Sequence, residues 1–192
     1  MALSARFAEA FLFANQLHGG QMRKGTAIPY IAHLLAVTSI VLENGGDEDE
    51  AIAALLHDAI EDQGGEPTRQ EIRRRFGNTV VAIVDGCSDA DEFPKPPWRA
   101  RKEAYIDHLR VTTASVRLVA GADKLHNARS VLADYRVVGE SLWQRFHGGK
   151  EGTLWYYRSA ANALAEMGRT PLIAELERVV SEIERLAYGG PL

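Results

Sequence analysis

Apolar residues recur along this chain at intervals of three and four, the spacing of helix faces, and alternating strand patterns are scarce. Phe7, Phe11, Ala14 and Leu17 mark a first amphipathic helix, and Glu9 interrupts what would otherwise resemble the apolar part of a signal peptide. The stretch GGQMRKGTAIPY follows, punctuated by Gly19, Gly20, Gly25 and Pro29, and reads as a loop. YIAHLLAVTSIVLEN is then a buried helix ending at Gly45-Gly46. Asp47 is placed to cap the next helix, whose acidic opening DEDE complements the positive end of its dipole. That helix carries AIAALLHDAIED and stops at Gly64-Gly65.

Farther on, Thr68 and Glu71 form a capping-box pattern for a helix ending near Phe76-Gly77. NTVVAIVDGCSD reads as another helix, with its β-branched residues keeping a strand open. DADEFPKPPWR, rich in Pro and charge, is expected to be a mobile surface loop. Helices are expected over ARKEAYIDHLR, SVRLVAGADKLHNARSVLADYR, TLWYYRSAANALAEMG and PLIAELERVVSEIERLAY. The pattern predicts an all-α fold, a single compact helical domain over 1–192, with room for short strand or irregular segments.

Composition narrows the classes. At 192 residues the chain is long enough for one sizeable core. No apolar run approaches the roughly 20 residues that span a bilayer. A net charge of −4 argues against nucleic acid or an anionic membrane as partner, while leaving a small anionic ligand open. The lone Cys87 excludes an internal disulfide and suits a cytoplasmic setting. Patterns for nucleotide-binding P-loops, dinucleotide folds, thiol redox pairs and serine hydrolases are absent. A homo-oligomer is left open.

Charge inside apolar helices is the feature that asks for chemistry. His57, Asp58, Glu61 and Asp62 follow the greasy run from Ala51 to Leu56, and unpaired buried charge costs several kcal/mol. His33 sits alone among apolar residues, and Asp123 repeats the pattern, with Asn127 and Ser130 on the same side. Three helices thus each place a metal-competent group near their middle. If they pack together, His33, His57, Asp58 and Asp123 share one divalent cation. Each also has a plainer reading: a hydrogen-bonded core histidine, a solvated helix end, a paired aspartate. Trp155, Tyr156 and Tyr157 offer a stacking platform or simple core packing, the run Arg73–Arg75 an exposed face, and Lys124 a solvated edge beside Asp123.

HGGQMRKGTAIPYIAH, ALLHDAIED and ADKLHNARS, in that order, resemble the HD-domain metal-dependent phosphohydrolases, more closely the hydrolase domain of the RelA/SpoT alarmone enzymes and their small Mesh1-type relatives. The resemblance runs from about Phe11 to Ser130 and implies an all-α HD fold. It implies His33, His57, Asp58 and Asp123 as ligands of one metal ion, typically Mn²⁺, and Glu61 and Asp62 as the catalytic acidic pair acting on the attacking water. It implies Arg23, Lys24 and Asn127 as substrate-binding residues, with Ser130 a weaker counterpart. Leu34 stands where the family often has Pro. The chain ends without the synthetase and regulatory domains of the long enzymes, so it is expected to degrade alarmones rather than make them. The expected reaction is release of the 3′-pyrophosphate of guanosine tetra- or pentaphosphate. A nucleotide phosphomonoesterase acting on nucleoside monophosphates or NADPH, and a non-catalytic nucleotide-sensing module, remain the competing readings.

Overall fold

The computed structural model describes residues 2–89 and 96–189, and these are helical with one isolated antiparallel bridge between Met22 and Pro29. The described residues form nine α-helices in order: α1 (Ala5–Leu17), α2 (Ile31–Glu43), α3 (Glu48–Leu56), α4 (Ala59–Asp62), α5 (Glu66–Cys87), α6 (Trp98–Leu109), α7 (Ala114–Val138), α8 (Gly149–Glu166) and α9 (Pro171–Ala187), with a 3₁₀ segment over Gly139–Arg145. No described helix is long and apolar enough to cross a membrane. The chain divides into two compact units, Met1–Lys95 with Thr112–Ala122 and Pro96–Val111 with Asp123–Leu192. Residues 90–95 of the Pro-rich segment lie outside the described residues, and with them most of the expected surface loop.

The first unit is built around α3. Ala51 through Leu56 are wholly buried, and α1, α2 and α5 all pack on this short helix. Asp47 caps its start as expected from the sequence, and the cap is completed into a box: the Asp47 carboxylate accepts the Glu50 N–H at 2.9 Å, and Glu50 accepts the Asp47 N–H at 2.8 Å. The turn before it is tight, since a Cβ on Gly46 would stand 2.5 Å from Val41 Cγ1.

One expectation changes here and one open alternative closes. The Thr68–Glu71 cap does not form, because the helix starts earlier, at Glu66, with Pro67 in its first turn. Thr68 instead donates to the Gln63 carbonyl, and Glu71 pairs with Arg74 and Arg75. NTVVAIVDG is helical rather than extended, the second half of α5, separated from the first by a kink at Gly77 with φ of 90°. Val80, Val81, Ile83 and Val84 form its buried face, so tertiary burial overrides their β-propensity. Arg73 and Arg74 are exposed as expected, whereas Arg75 lies half-buried over the Phe13 ring, 4.4 Å from its centroid.

In the second unit α8 packs against α6 and α9. The α9 face of Leu172, Leu176, Val179, Val180 and Ile183 is buried, capped at its start by Thr170 and Pro171. Tyr156 and Tyr157 are core residues, which favours packing over a stacking platform. Trp155 stays half-buried, with the Arg99 guanidinium 3.2 Å from its ring centroid.

Candidate metal centre

The site lies at helix ends rather than helix middles. His33 is in the first turn of α2, His57 caps the end of α3, and Asp58 starts the single turn of α4. The apolar run of α3 therefore stops where its polar residues begin, and AIAALLHDAIED is two helices with the HD pair at their junction. All three side chains converge, with ligand-type atoms within 4.8 Å of one another. Both imidazoles are buried, His33 to 1% exposure and His57 to 2%.

Hydrogen bonds set their orientation. The Ala54 carbonyl lies 2.8 Å from His57 Nδ1 and can only accept, so Nδ1 carries the hydrogen and, in the neutral ring, Nε2 the lone pair. That Nε2 lies 3.0 Å from Asp58 Oδ2, which also presents lone pairs, and His33 Nε2 lies 3.6 Å from the same oxygen. Electron-rich atoms held this close favour a shared positive charge, and a divalent cation fits the donor set. The Tyr30 hydroxyl donates to Asp58 Oδ2 at 2.5 Å, and the Tyr30 ring stands edge-on to His33 with centroids 5.4 Å apart.

Glu61 and Asp62 occupy the α4 turn just beyond Asp58, Glu61 half-buried and Asp62 exposed. The Asp62 N–H still bonds the Asp58 carbonyl at 2.9 Å, so the expected i,i+4 relation of these two residues holds despite the helix break. Asp62 Oδ2 accepts from Gln21 Nε2 at 2.8 Å. Arg23 and Lys24 sit in the loop between α1 and α2, whose backbone is tied by Arg23 N–H to the Ile28 carbonyl and Tyr30 N–H to the Gln21 carbonyl, both at 2.9 Å. Arg23 is half-buried and Lys24 exposed.

Asp123 belongs to the second unit, buried on α7. Asn127 donates to one of its oxygens and Lys124 to the other, each at 2.5 Å. Lys124 is not the solvated edge expected from sequence; its side chain is 12% exposed and lies against the Tyr105 and Tyr156 rings. Burial pulls its ammonium toward the neutral form, but the Asp123 carboxylate beside it, with the Tyr156 and Tyr105 phenols, outweighs this and holds its pKa well above the ordinary lysine value. Ser130, one turn on, donates its hydroxyl to the His126 carbonyl at 3.0 Å. Sequence reasoning missed Tyr30 and Gln21. Both stand inside the motif that contains His33, and their polar character in a Gly-flanked loop was the available signal.

Comparison with known proteins places this geometry in a family. A family model described as "HD domain" matches residues 10–153. The bifunctional (p)ppGpp synthase/hydrolase SpoT of Escherichia coli K12 is 37% identical over 96% of this chain, which spans only 27% of that protein. The guanosine-3′,5′-bis(diphosphate) 3′-pyrophosphohydrolase MESH1 of Xenopus tropicalis is 38% identical over 67% of this chain and 70% of its own length. The solved structure of a metazoan ortholog of SpoT superposes with a TM-score of 0.75 at 24% identity, covering 96% of this chain and 97% of that one. The chain belongs to the HD domain family.

Proposed function

We propose that this HD domain protein is a Mn²⁺-dependent hydrolase that removes the 3′-pyrophosphate of guanosine 3′,5′-bis(diphosphate) or its pentaphosphate analogue, leaving GDP or GTP. The observation that carries the reading is the convergence of His33, His57 and Asp58 next to the Glu61–Asp62 turn, in a chain 38% identical to a MESH1 pyrophosphohydrolase. The family model crosses both compact units, which supports treating residues 1–192 as one functional domain.

In this reading His33, His57 and Asp58 hold the ion; the motif ADKLHNARS supports Asp123 as a further ligand. Imidazole and carboxylate donors together suit Mn²⁺. When bound, the ion supplies Lewis acidity that lowers the pKa of water and draws charge from a phosphoryl oxygen. Glu61 and Asp62, poised on α4, take the proton of the attacking water. The phosphorus–O3′ ester bond breaks, the water oxygen leaves in pyrophosphate, and O3′ ends protonated. Arg23 and Lys24 meet the substrate phosphates from a loop whose backbone is already ordered by its own hydrogen bonds. Motif position supports Asn127 and Ser130 as further substrate contacts.

The decisive experiment incubates purified protein and Mn²⁺ with ppGpp, pppGpp, NADPH and a panel of nucleoside monophosphates, assaying pyrophosphate and free phosphate separately. Metal-dependent pyrophosphate release from the guanosine substrates is expected. Free phosphate from NADPH or a mononucleotide, without pyrophosphate from ppGpp, replaces this assignment with a phosphomonoesterase.

A further inference from the structure

We infer that Gln21 is a positioning residue for Asp62, fixing the carboxylate through an amide that is itself locked in one orientation. The inference rests on the hydrolase reading for its kinetic consequence, and on hydrogen-bond geometry for its physical basis.

Gln21 follows α1 and stands 41 residues before Asp62 in sequence, yet its Nε2 is 2.8 Å from Asp62 Oδ2. An ionised carboxylate only accepts, so the facing atom is the amide NH₂ group. The carbonyl oxygen Oε1 therefore points the other way. There it lies 2.7 Å from His18 Nδ1 and receives Gln63 Nε2 at 2.6 Å. Three neighbours thus hold one amide, and rotating it by half a turn would set its carbonyl oxygen against the Asp62 carboxylate and its NH₂ group against that of Gln63.

The anchor of this brace is fixed as well. His18 caps α1, is 2% exposed, and stacks on Tyr30 with ring centroids 5.2 Å apart and 18° between planes. Because Gln21 Oε1 accepts, His18 Nδ1 carries hydrogen; its Nε2 is buried without a hydrogen-bond partner. Tyr30 in turn donates to Asp58. The HGGQ…PY stretch therefore reaches the metal donors through Tyr30 and the acidic pair through Gln21. Asp62 is exposed at the end of a one-turn helix, where an outside hydrogen bond selects among side-chain rotamers.

Two near-isosteric variants separate this role from packing. Gln21→Met keeps length without a donor; Gln21→Glu keeps the shape but turns an acceptor toward Asp62. We expect kcat to fall roughly tenfold to a hundredfold in Gln21→Met, the scale of a misplaced reacting group, and further in Gln21→Glu. KM and Mn²⁺ affinity should stay within about twofold in both, since neither change touches a ligand to the ion. A packing role reverses the order, because Glu is the closer shape; Gln21→Glu as active as Gln21→Met or more so overturns the inference. A second measurement needs no substrate. The Gln21 side-chain amide resonances in the ¹⁵N-labelled protein should shift when Asp62 is changed to Ala, and unmoved resonances overturn the inference too. Absence of pyrophosphate release by the parent protein would remove the hydrolase reading alone, leaving the resonance shift to decide whether Gln21 holds Asp62.

Discussion

His57 donates Nδ1–H to the Ala54 carbonyl one turn back in α3, and that single bond decides which nitrogen faces Asp58. The Tyr30 hydroxyl does the corresponding work for the carboxylate. These two supports make the donors depend on each other, so removing one should cost more than its share of the coordination. In the Asp58→Ala variant we expect the rise in melting temperature on adding Mn²⁺ to vanish. In the Glu61→Ala/Asp62→Ala double variant that rise should persist while turnover is lost. Differential scanning fluorimetry with and without EDTA, beside the product assay, checks both. Residue types suggested this division in the sequence: His33, His57 and Asp58 are metal-competent residues set against apolar runs, and Glu61 and Asp62 follow in the pattern of an acidic pair. The supports were not legible in the same way. Gln21 meets partners 41 and 42 residues away and Tyr30 one that is 28 away, and a neutral amide or phenol carries no sign of which distant carboxylate it will meet.

At the level of elements, the starts of helices were easier to read than their interruptions. The Asp47 cap was visible because its contact with the Glu50 N–H spans only three residues. Replacing Asp47 with Ala should lower unfolding stability by about 1 kcal/mol, measured by urea denaturation, since it strips a cap from the helix on which the first core is built. The break between α3 and α4 and the kink at Gly77 are set by tertiary packing and by a positive φ that sequence only permits. Thr68 misled for a related reason: three-residue spacing to Glu71 mimics a cap, but Pro67 had already fixed the helix start upstream. On α9, Glu182 is bonded to Arg185 and Arg136, and the Arg185 hydrogen bond, followed by the arginine charges, holds its pKa near about 2 rather than 4.5. Because the folded value is depressed, its contribution is present above about pH 4.5 and is lost as pH falls through about 2. Glu182→Gln should therefore melt slightly below the parent protein at neutral pH, with the gap closing across that window; thermal melts at a series of pH values test it. The effect is small because the pair is solvent-screened.

Across the whole molecule, helical periodicity was enough to give an all-α class, and three ordered motifs were enough to point to the family; the family model then matched residues 10–153. The two compact units were not visible, because each is assembled from two discontinuous segments and α7 contributes residues to both. If residues 1–192 act as one functional domain, calorimetry should give a single transition. Mn²⁺ at a hundredfold excess over its Kd should then add about 2.7 kcal/mol to the stability of that one transition. Two transitions, only one of them moved by metal, would divide the chain instead. The seam between α3 and α4 has a further consequence. In the proposed reading the ion is held by His57 and Asp58 at the edges of this seam, and the acidic pair follows on a short turn closed off by Gly64 and Gly65. On that reading grip and speed are separately adjustable traits: changes at Glu61 and Asp62 should retune the rate while metal binding persists.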